Sequence, residues 1–423
     1  MVTIRALSGW TSEQRHVVAA TFLGWSLDAF DFFLLVFVLK DIAAEFNTDI
    51  SRVSTTILVT LAMRPVGAFL FGRAADRWGR RPTLIADVLL YSALEFLSGF
   101  APNLTALIVL RAFYGIAMGG EWGVGASLAM ESIPAHARGF VSGLLQSGYP
   151  AGYFIASIVY GLLFQYIGWR GMFMVGVVPA LLVLYIRRNV PESPSFERNR
   201  ADSADTMKLL RSHWRLGIYA VVLMTAFNFF SHGTQDLYPT FLQVERKLSP
   251  HEVSLIAIIY NVGAICGGIL FGSLSERYGR RRCIIVAALL SLLAIPPWAF
   301  ANSVVVLAIG AFFMQFMVQG AWGVIPVHLN ELSPATARGT FPGFVYQIGN
   351  LLASVNAPLQ ATMAAQFGGS FGLALAMVAA TVAVAIVVLT LFGTEAKGID
   401  FVKAVVSDGG APERRPRQAS GIV

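Results

Sequence analysis

Apolar residues gather into twelve long runs along this 423-residue chain, at about 17–39, 52–72, 82–100, 104–130, 140–165, 169–187, 216–242, 252–272, 283–301, 304–328, 341–365 and 371–393. Roughly 20 apolar residues in a helix cross the hydrocarbon core of a bilayer, and these runs are too long for ordinary buried core helices. The pattern predicts an all-α membrane protein with twelve transmembrane helices. Only one polar stretch inside the chain is long, about 188–215, and Pro191-Glu192-Ser193-Pro194 stands near its start. It divides the runs six and six. The expected organisation is an N-terminal six-helix bundle over 1–187, a cytoplasmic linker over 188–215, a C-terminal six-helix bundle over 216–393, and a disordered cytoplasmic tail over 394–423, polar and basic at Arg414, Arg415 and Arg417.

Composition agrees with this class. Hydrophobic residues make up 56% and charged residues 13%, against about 25% charged in an ordinary soluble domain. With twelve crossings both termini share one side. That side carries 24 of the 31 lysines and arginines. Five (Lys40, Arg52, Arg170, Arg246 and Lys247) fall on the other, and Arg64 and Arg111 lie inside crossings. The positive-inside rule then places both termini in the cytoplasm of a plasma membrane, which for a bacterium is the inner membrane. Basic loops beside a membrane also explain the net charge of +7 without nucleic acid. The first apolar run lacks a small-residue cleavage site and is expected to stay as the first helix. Cys266 and Cys283 have no metal spacing and no disulfide framework, and read as packing residues.

The chain repeats itself. Gly72-Arg-Ala-Ala-Asp76-Arg77-Trp-Gly79-Arg80-Arg81 recurs 200 residues later as Gly272-Ser-Leu-Ser-Glu276-Arg277-Tyr-Gly279-Arg280-Arg281. The same offset pairs Gly120-Glu121-Trp122-Gly123 with Gly320-Ala321-Trp322-Gly323, and 131–139 with 331–339. Two similar halves in so apolar a chain point to a transporter built from membrane repeats. In the repeated loop Gly72 and Gly272 allow close helix approach. Gly79 and Gly279 suit a tight turn with positive φ. Asp76 can face a helix N-terminus or pair with a nearby arginine.

On this loop signature, present twice, the chain resembles the major facilitator superfamily over about residues 10–395. The resemblance implies two pseudo-symmetric six-helix bundles, a central site near mid-membrane and rocking-type alternating access. It also implies that Gly72, Asp76, Arg77, Gly79, Arg80, Gly272, Glu276, Arg277, Gly279 and Arg280 gate conformations and do not bind substrate. No Gly-x-x-x-x-Gly-Lys-Ser/Thr phosphate loop occurs, so transport driven directly by ATP is not expected.

Charge inside a membrane marks a functional cavity or a buried pair. Asp28 and Asp31 share a face of the first crossing, with Arg64 level with them on the second. Either the aspartates hold Arg64, or Arg64 forks onto a substrate carboxylate. Arg111 can reach Glu95. Glu121, among glycines in the fourth crossing, reads as a buried hydrogen-bonding group or as a proton carrier.

The densest chemistry lies in the seventh crossing, Asn228-Phe-Phe-Ser231-His232-Gly-Thr234-Gln235-Asp236-Leu-Tyr-Pro239-Thr240. At about 100° per residue, Asn228, His232, Gln235 and Asp236 form one stripe, which must face a cavity or other helices. His232 and Asp236, one turn apart, titrate as a unit and can take up and release a proton. The amides and hydroxyls beside them can hold an organic acid. The bland alternative is a polar seam against the eleventh crossing, which offers Gln347, Asn350, Asn356 and Gln360.

This stretch meets Asn-x-x-Ser/Thr-His-x-Ser/Thr-Gln-Asp-x-x-x-Thr at every fixed position. It resembles the Jen-type lactate/pyruvate:proton symporters in the sialate:proton symporter branch. That resemblance implies that this helix carries substrate and proton and that Arg64 binds the carboxylate. Asp28-Ala-Phe-Asp31 resembles the Asp-Gly-x-Asp motif of aromatic-acid:proton symporters, with Ala29 in place of the glycine.

The expected function is proton-coupled import of small monocarboxylates, lactate or pyruvate first, with aromatic acids or sialic acid as the nearest alternatives and a non-transporting membrane sensor as the alternative of another class. Substrate-binding candidates are Arg64, Asn228, Ser231, His232, Gln235 and Gln347. Proton-coupling candidates are His232, Asp236, Asp28, Asp31 and Glu121. The one Gly-x-Ser-x-Gly string, Gly368-Gly-Ser370-Phe-Gly372, lies in the short gap between the last two apolar runs and not at a strand-to-helix turn, no His-Glu-x-x-His occurs, and no enzymatic activity, cofactor or metal is expected. The expected partners are an organic acid anion, a proton and membrane lipid, with the protein a monomer.

Overall fold

A backbone in lipid must satisfy its own hydrogen bonds, so each apolar run closes into helix. The computed structural model describes residues 9–199, 212–399 and 401. Among these there is no strand. The first half holds α1 (Ser12–Glu45), α2 (Ile50–Trp78), α3 (Arg80–Ser98), α4 (Leu104–Ser132), α5 (Arg138–Gln146), α6 (Gly148–Val175) and α7 (Ala180–Asn189). A short α8 (Pro194–Asn199) follows. The second half holds α9 (Trp214–Gln235), α10 (Pro250–Tyr278), α11 (Arg280–Ile295), α12 (Val304–Trp322), α13 (Ile325–Leu332), α14 (Phe341–Ala353), α15 (Asn356–Gln366) and α16 (Phe371–Phe392).

These helices form two six-helix halves. The stretch labelled α6 is two helices that reverse at Gly168, whose φ is +62°: the fifth crossing ends there, and the sixth begins at Trp169 and continues into α7. Among the described residues nine helical stretches are long and apolar enough to cross a membrane. The other crossings carry charge or are broken. Helix α3 contains Arg80, Arg81, Asp87 and Glu95, α7 has 10 residues, and Ser354 and Val355 separate α14 from α15.

Small residues set the helix spacing in the first half. A Cβ on Gly67 of α2 would overlap the carbonyl oxygen of Ile116, and one on Gly119 of α4 would overlap that of Arg64. Backbone meets backbone here, as at small-residue interfaces in membranes. Gly119→Val must therefore push α2 away and carry Arg64 with it. We expect Gly119→Val protein to unfold at a lower temperature than the wild type, and an unchanged melting temperature would show that this contact positions nothing.

The repeated loops close as their residues require. Gly79 (φ +113°) and Gly279 (φ +98°) make the turns before α3 and α11. The first N–H groups of these helices are capped from far along the chain. Glu192 accepts from the amides of Arg80 and Arg81, at 2.9 and 3.2 Å. Glu395 accepts from those of Arg280 and Arg281, at 3.2 and 3.1 Å. An acidic group at a helix N-terminus satisfies otherwise unpaired donors and complements the helix dipole. Glu192 is pulled out of water to do so, and that burial holds its carboxyl above the usual range against the hydrogen bonds it accepts.

The start of the tail departs from the expected disorder. Phe401 is buried, with the Arg138 and Arg338 guanidiniums 3.7 and 4.2 Å from its ring centre. The carbonyl oxygen of Phe401 accepts from Arg338 and Ser195. The rest of the expected tail, 400 and 402–423, and linker residues 200–211 lie outside the described residues.

Candidate functional site

The halves are tied together on the side where α1 begins and α16 ends. Asp76 accepts from the Gly339 amide (2.7 Å), the Thr340 amide (3.0 Å) and the Thr340 hydroxyl (2.6 Å), at the N-terminus of α14. It also pairs with Arg80 at 3.3 Å. Its counterpart Glu276 accepts from the Gly139 amide at 2.5 Å and pairs with Arg280 at 2.8 Å. Gly72 and Gly272 abut backbone of the opposite half, so a Cβ at either would collide. Both arginines are buried on further carboxylates, Arg80 on Glu131 at 3.1 Å and Arg280 on Glu331 at 2.9 Å. Arg77 and Arg277 instead point outward, over Trp78 and Tyr278. The two copies of the motif thus form one pseudo-symmetric seal.

Behind this seal, at mid-depth and toward the opposite side, lies a cavity of about 370 Å³. It is lined by Arg64 of α2, by Asn228, Ser231, His232 and Gln235 of α9 with Asp236 just beyond its end, and by Asn261, Gln319, Tyr346 and Asn350 of the second half. Trp25, Phe32, Phe33, Tyr149 and Tyr153 supply rings from the first half. Trp122, Trp322 and Tyr346 pack together at the seal end, Trp122 tilted against Tyr346 with ring centres 4.6 Å apart and Trp322 edge-on to it at 5.6 Å.

Five residues of the α9 stretch reach one wall. His232 Nδ1 lies 3.2 Å from Asp236 Oδ1, and His232 Nε2 lies 3.2 Å from Asn350 Oδ1. The two side chains are 36% and 39% exposed, to the cavity. Gln235 donates to Gln315 Oε1 at 2.7 Å, and Gln319 donates to the Ser231 hydroxyl at 3.1 Å. Gln360 donates to the Gly233 carbonyl at 2.7 Å. The stripe is therefore both a cavity wall and a seam: Ser231 and Gln235 line the cavity while bonding Gln319 and Gln315 of the neighbouring helix.

Arg64 faces the cavity from the first half. It is 2% exposed, and its Nε and Nη2 have no hydrogen-bond partner among the described residues. The Tyr346 hydroxyl is within hydrogen-bonding reach of it. No ion pair joins Arg64 to Asp28 or Asp31 among the described residues, so of the two readings of Arg64 the aspartate clamp is not formed here.

Other candidates lie elsewhere. Gln347 is buried but does not line the cavity; its neighbour Tyr346 takes that place. Asp28, Asp31 and Glu121 are fully buried inside the first half, away from the cavity lining, and their carboxylate oxygens have no hydrogen-bond partner among the described residues. Glu121 packs against Gly24 of α1, where a Cβ would overlap its carboxylate. Arg111 pairs with Glu95, as their spacing suggested, and both are fully buried. Asn261, Gln319, Tyr149 and Tyr153 were missed by sequence reasoning. Gln315 and Gln319, one helical turn apart in an apolar crossing, carried a signal, and so did Tyr149 and Tyr153. Among the described residues no group of three or more His, Cys, Asp or Glu side chains is arranged to hold a metal ion.

Two pseudo-symmetric helical halves around a central polar cavity, sealed at one side, define a membrane transporter that works by exposing one site to alternate sides. The model of the Major Facilitator Superfamily matches residues 21–246 and 235–416, and the chain belongs to that superfamily, a family of multi-pass membrane transporters and not of enzymes. It is 29% identical over 371 residues to a carboxylic acid transporter protein homolog of Saccharomyces cerevisiae, covering 81% of this chain and 60% of that protein, so it spans only part of the yeast protein's length. It is 29% identical to the sialic acid transporter NanX of Escherichia coli over 82% of this chain and 87% of that one. It is 30% identical to a probable 4-methylmuconolactone transporter of Cupriavidus pinatubonensis, over 81% of this chain and 82% of that one. The proton:xylose symporter XylE superposes with a TM-score of 0.77 at 17% identity, covering 93% of this chain and 99% of that one, which is a likeness of fold.

Proposed function

We propose that this protein is a proton-coupled importer of small monocarboxylates, with lactate or pyruvate as first substrates. One observation carries the reading: a buried, under-partnered Arg64 and the His232–Asp236 pair line the same cavity. A guanidinium matches a carboxylate bidentately. A histidine and an aspartate one turn apart hold a proton jointly. The carboxylic acid and sialic acid transporters among its relatives support the substrate chemistry.

In this mechanism the anion enters from outside and meets Arg64, and a proton joins at His232–Asp236. Loading balances charge within the cavity and lowers the cost of closing its outer side. Separation of Asp76 from Gly339 and Thr340, and of Glu276 from Gly139, then opens the cytoplasmic side. The higher cytoplasmic pH favours proton release.

A second reading takes larger acids, aromatic or sialic. It is favoured by the cavity volume and by the rings on its first-half wall. Uptake of labelled L-lactate into proteoliposomes, with and without an inward proton gradient, tests the first reading. We expect gradient-stimulated uptake that a protonophore abolishes. Uptake indifferent to the gradient sinks proton coupling. Absence of lactate uptake, with uptake of a benzoate-type acid or sialic acid, replaces the first reading with the second.

A further inference from the structure

We propose that a basic depression at the end of the second half is a binding site for the headgroup of an anionic phospholipid. The depression, about 470 Å³, lies where α10 ends, α11 begins and the chain leaves α16. Arg277, Arg281, Arg282 and Lys397 line it, with Glu395 as the single acidic residue. Glu395 is already committed to the amides at the start of α11. Arg281 is fixed in place by donating to the carbonyls of Thr390 (2.7 Å) and Leu391. Arg277, Arg282 and Lys397 have no ion pair among the described residues. Four cations thus converge on one hollow that holds a single carboxylate, Glu395, among the described residues, which is a recognisable headgroup site at a membrane surface.

Below the hollow the surface turns apolar. Arg282 heads a helical stripe of exposed Val286, Leu289 and Leu293 on α11. Val384, Val388 and Leu391 are exposed on the adjacent α16. A phosphate on the cations would therefore leave its acyl chains along this stripe. A free phosphate would use only the basic half, so the combination selects a lipid.

Topology alone does not require these charges. Arg77, Arg80 and Arg81 repeat as Arg277, Arg280 and Arg281, so both halves have the arginines that orient a loop. Arg282 stands where the first half has Pro82. Lys397, two residues after the capping Glu395, stands where the first half has Pro194, two residues after Glu192. The second half adds cations at the two places that complete the hollow. The site sits on the segment whose Glu276 closes the seal, so an occupied site would also bear on opening.

The test is lipid retention, which needs no transport and so stands apart from the substrate assignment. Full-length protein is equilibrated with mixed micelles containing phosphatidylglycerol or phosphatidylcholine, and bound phospholipid is counted by native mass spectrometry. The expected result is selective retention of phosphatidylglycerol, weakened roughly 10-fold or more in Arg282→Gln/Lys397→Gln, since each cation near such a surface contributes about fivefold. A control, Arg77→Gln/Arg188→Gln, removes two exposed charges from the first half and should retain lipid like the wild type. Equal retention of phosphatidylcholine, full retention by the first double variant, or an equal loss in the control would overturn the site. All four positions are exposed, and melting temperatures within a few degrees of wild type confirm that the variants are folded.

Discussion

Arg64→Gln should lower kcat/KM for monocarboxylate uptake by between about 30-fold and a few thousand-fold, with the protein still folded in the membrane. The magnitude follows from the site. Arg64 is buried beside the cavity, and among the described residues its Nε and Nη2 have no hydrogen-bond acceptor and no aspartate is salt-bridged to it. Removing one partner from a buried, hydrogen-bonded charge pair costs roughly 2–5 kcal/mol, and each 1.4 kcal/mol is tenfold. Arg64→Lys separates charge from geometry. Lysine keeps the charge but loses the planar fork, so uptake should stay well below wild type, and a full rescue would mean that charge alone suffices. Normal uptake by Arg64→Gln would remove Arg64 from the site. An equal loss of uptake and of melting temperature would make its role structural.

Much of this arrangement was legible in the sequence because helix periodicity turns spacing into position. Asn228, Ser231, His232, Gln235 and Asp236 fall on the cavity wall because the stripe is local: one helix orients all of its members. The two copies of the glycine-rich loop were legible for the same reason, including the positive φ at Gly79 and Gly279. What the sequence did not reveal depends on how separate helices rotate against one another. Asp28, Asp31 and Arg64 sit at one level, yet both aspartates turn into the first half and Arg64 turns into the cavity. Gln347 and Tyr346 are adjacent in sequence, about 100° apart on α14, and only the second faces the cavity. The caps from Glu192 and Glu395 join residues more than a hundred positions apart, beyond the reach of any local pattern. The break at Ser354–Val355 also escaped a hydropathy reading, which sees apolar length and not backbone direction, whereas the reversal at Gly168 falls in the gap between the fifth and sixth runs.

Asp236→Asn should abolish accumulation driven by a proton gradient while leaving substrate exchange within a few-fold of wild type. Net uptake requires the empty carrier to return, and in the proposed cycle the proton on His232–Asp236 must be taken up and released on each turn. Exchange returns the carrier loaded and needs no net proton movement. An asparagine side chain has nearly the same shape as an aspartate one and can still meet His232 across the 3.2 Å contact, so cavity geometry is kept while the charge is removed. The pair can then no longer hold its proton against a carboxylate, and the pH dependence of uptake should flatten. His232→Gln should act in the same direction, because it removes the other half of the unit and disturbs the contact with Asn350. The ratio of net uptake to exchange, measured in the same proteoliposomes, is the deciding quantity. A fall in both together would mean that Asp236 shapes the binding site without carrying the proton. Unchanged, gradient-driven uptake would move the proton elsewhere, first to Asp28, Asp31 or Glu121, whose buried carboxylates lie in the first half with no hydrogen-bond partner among the described residues.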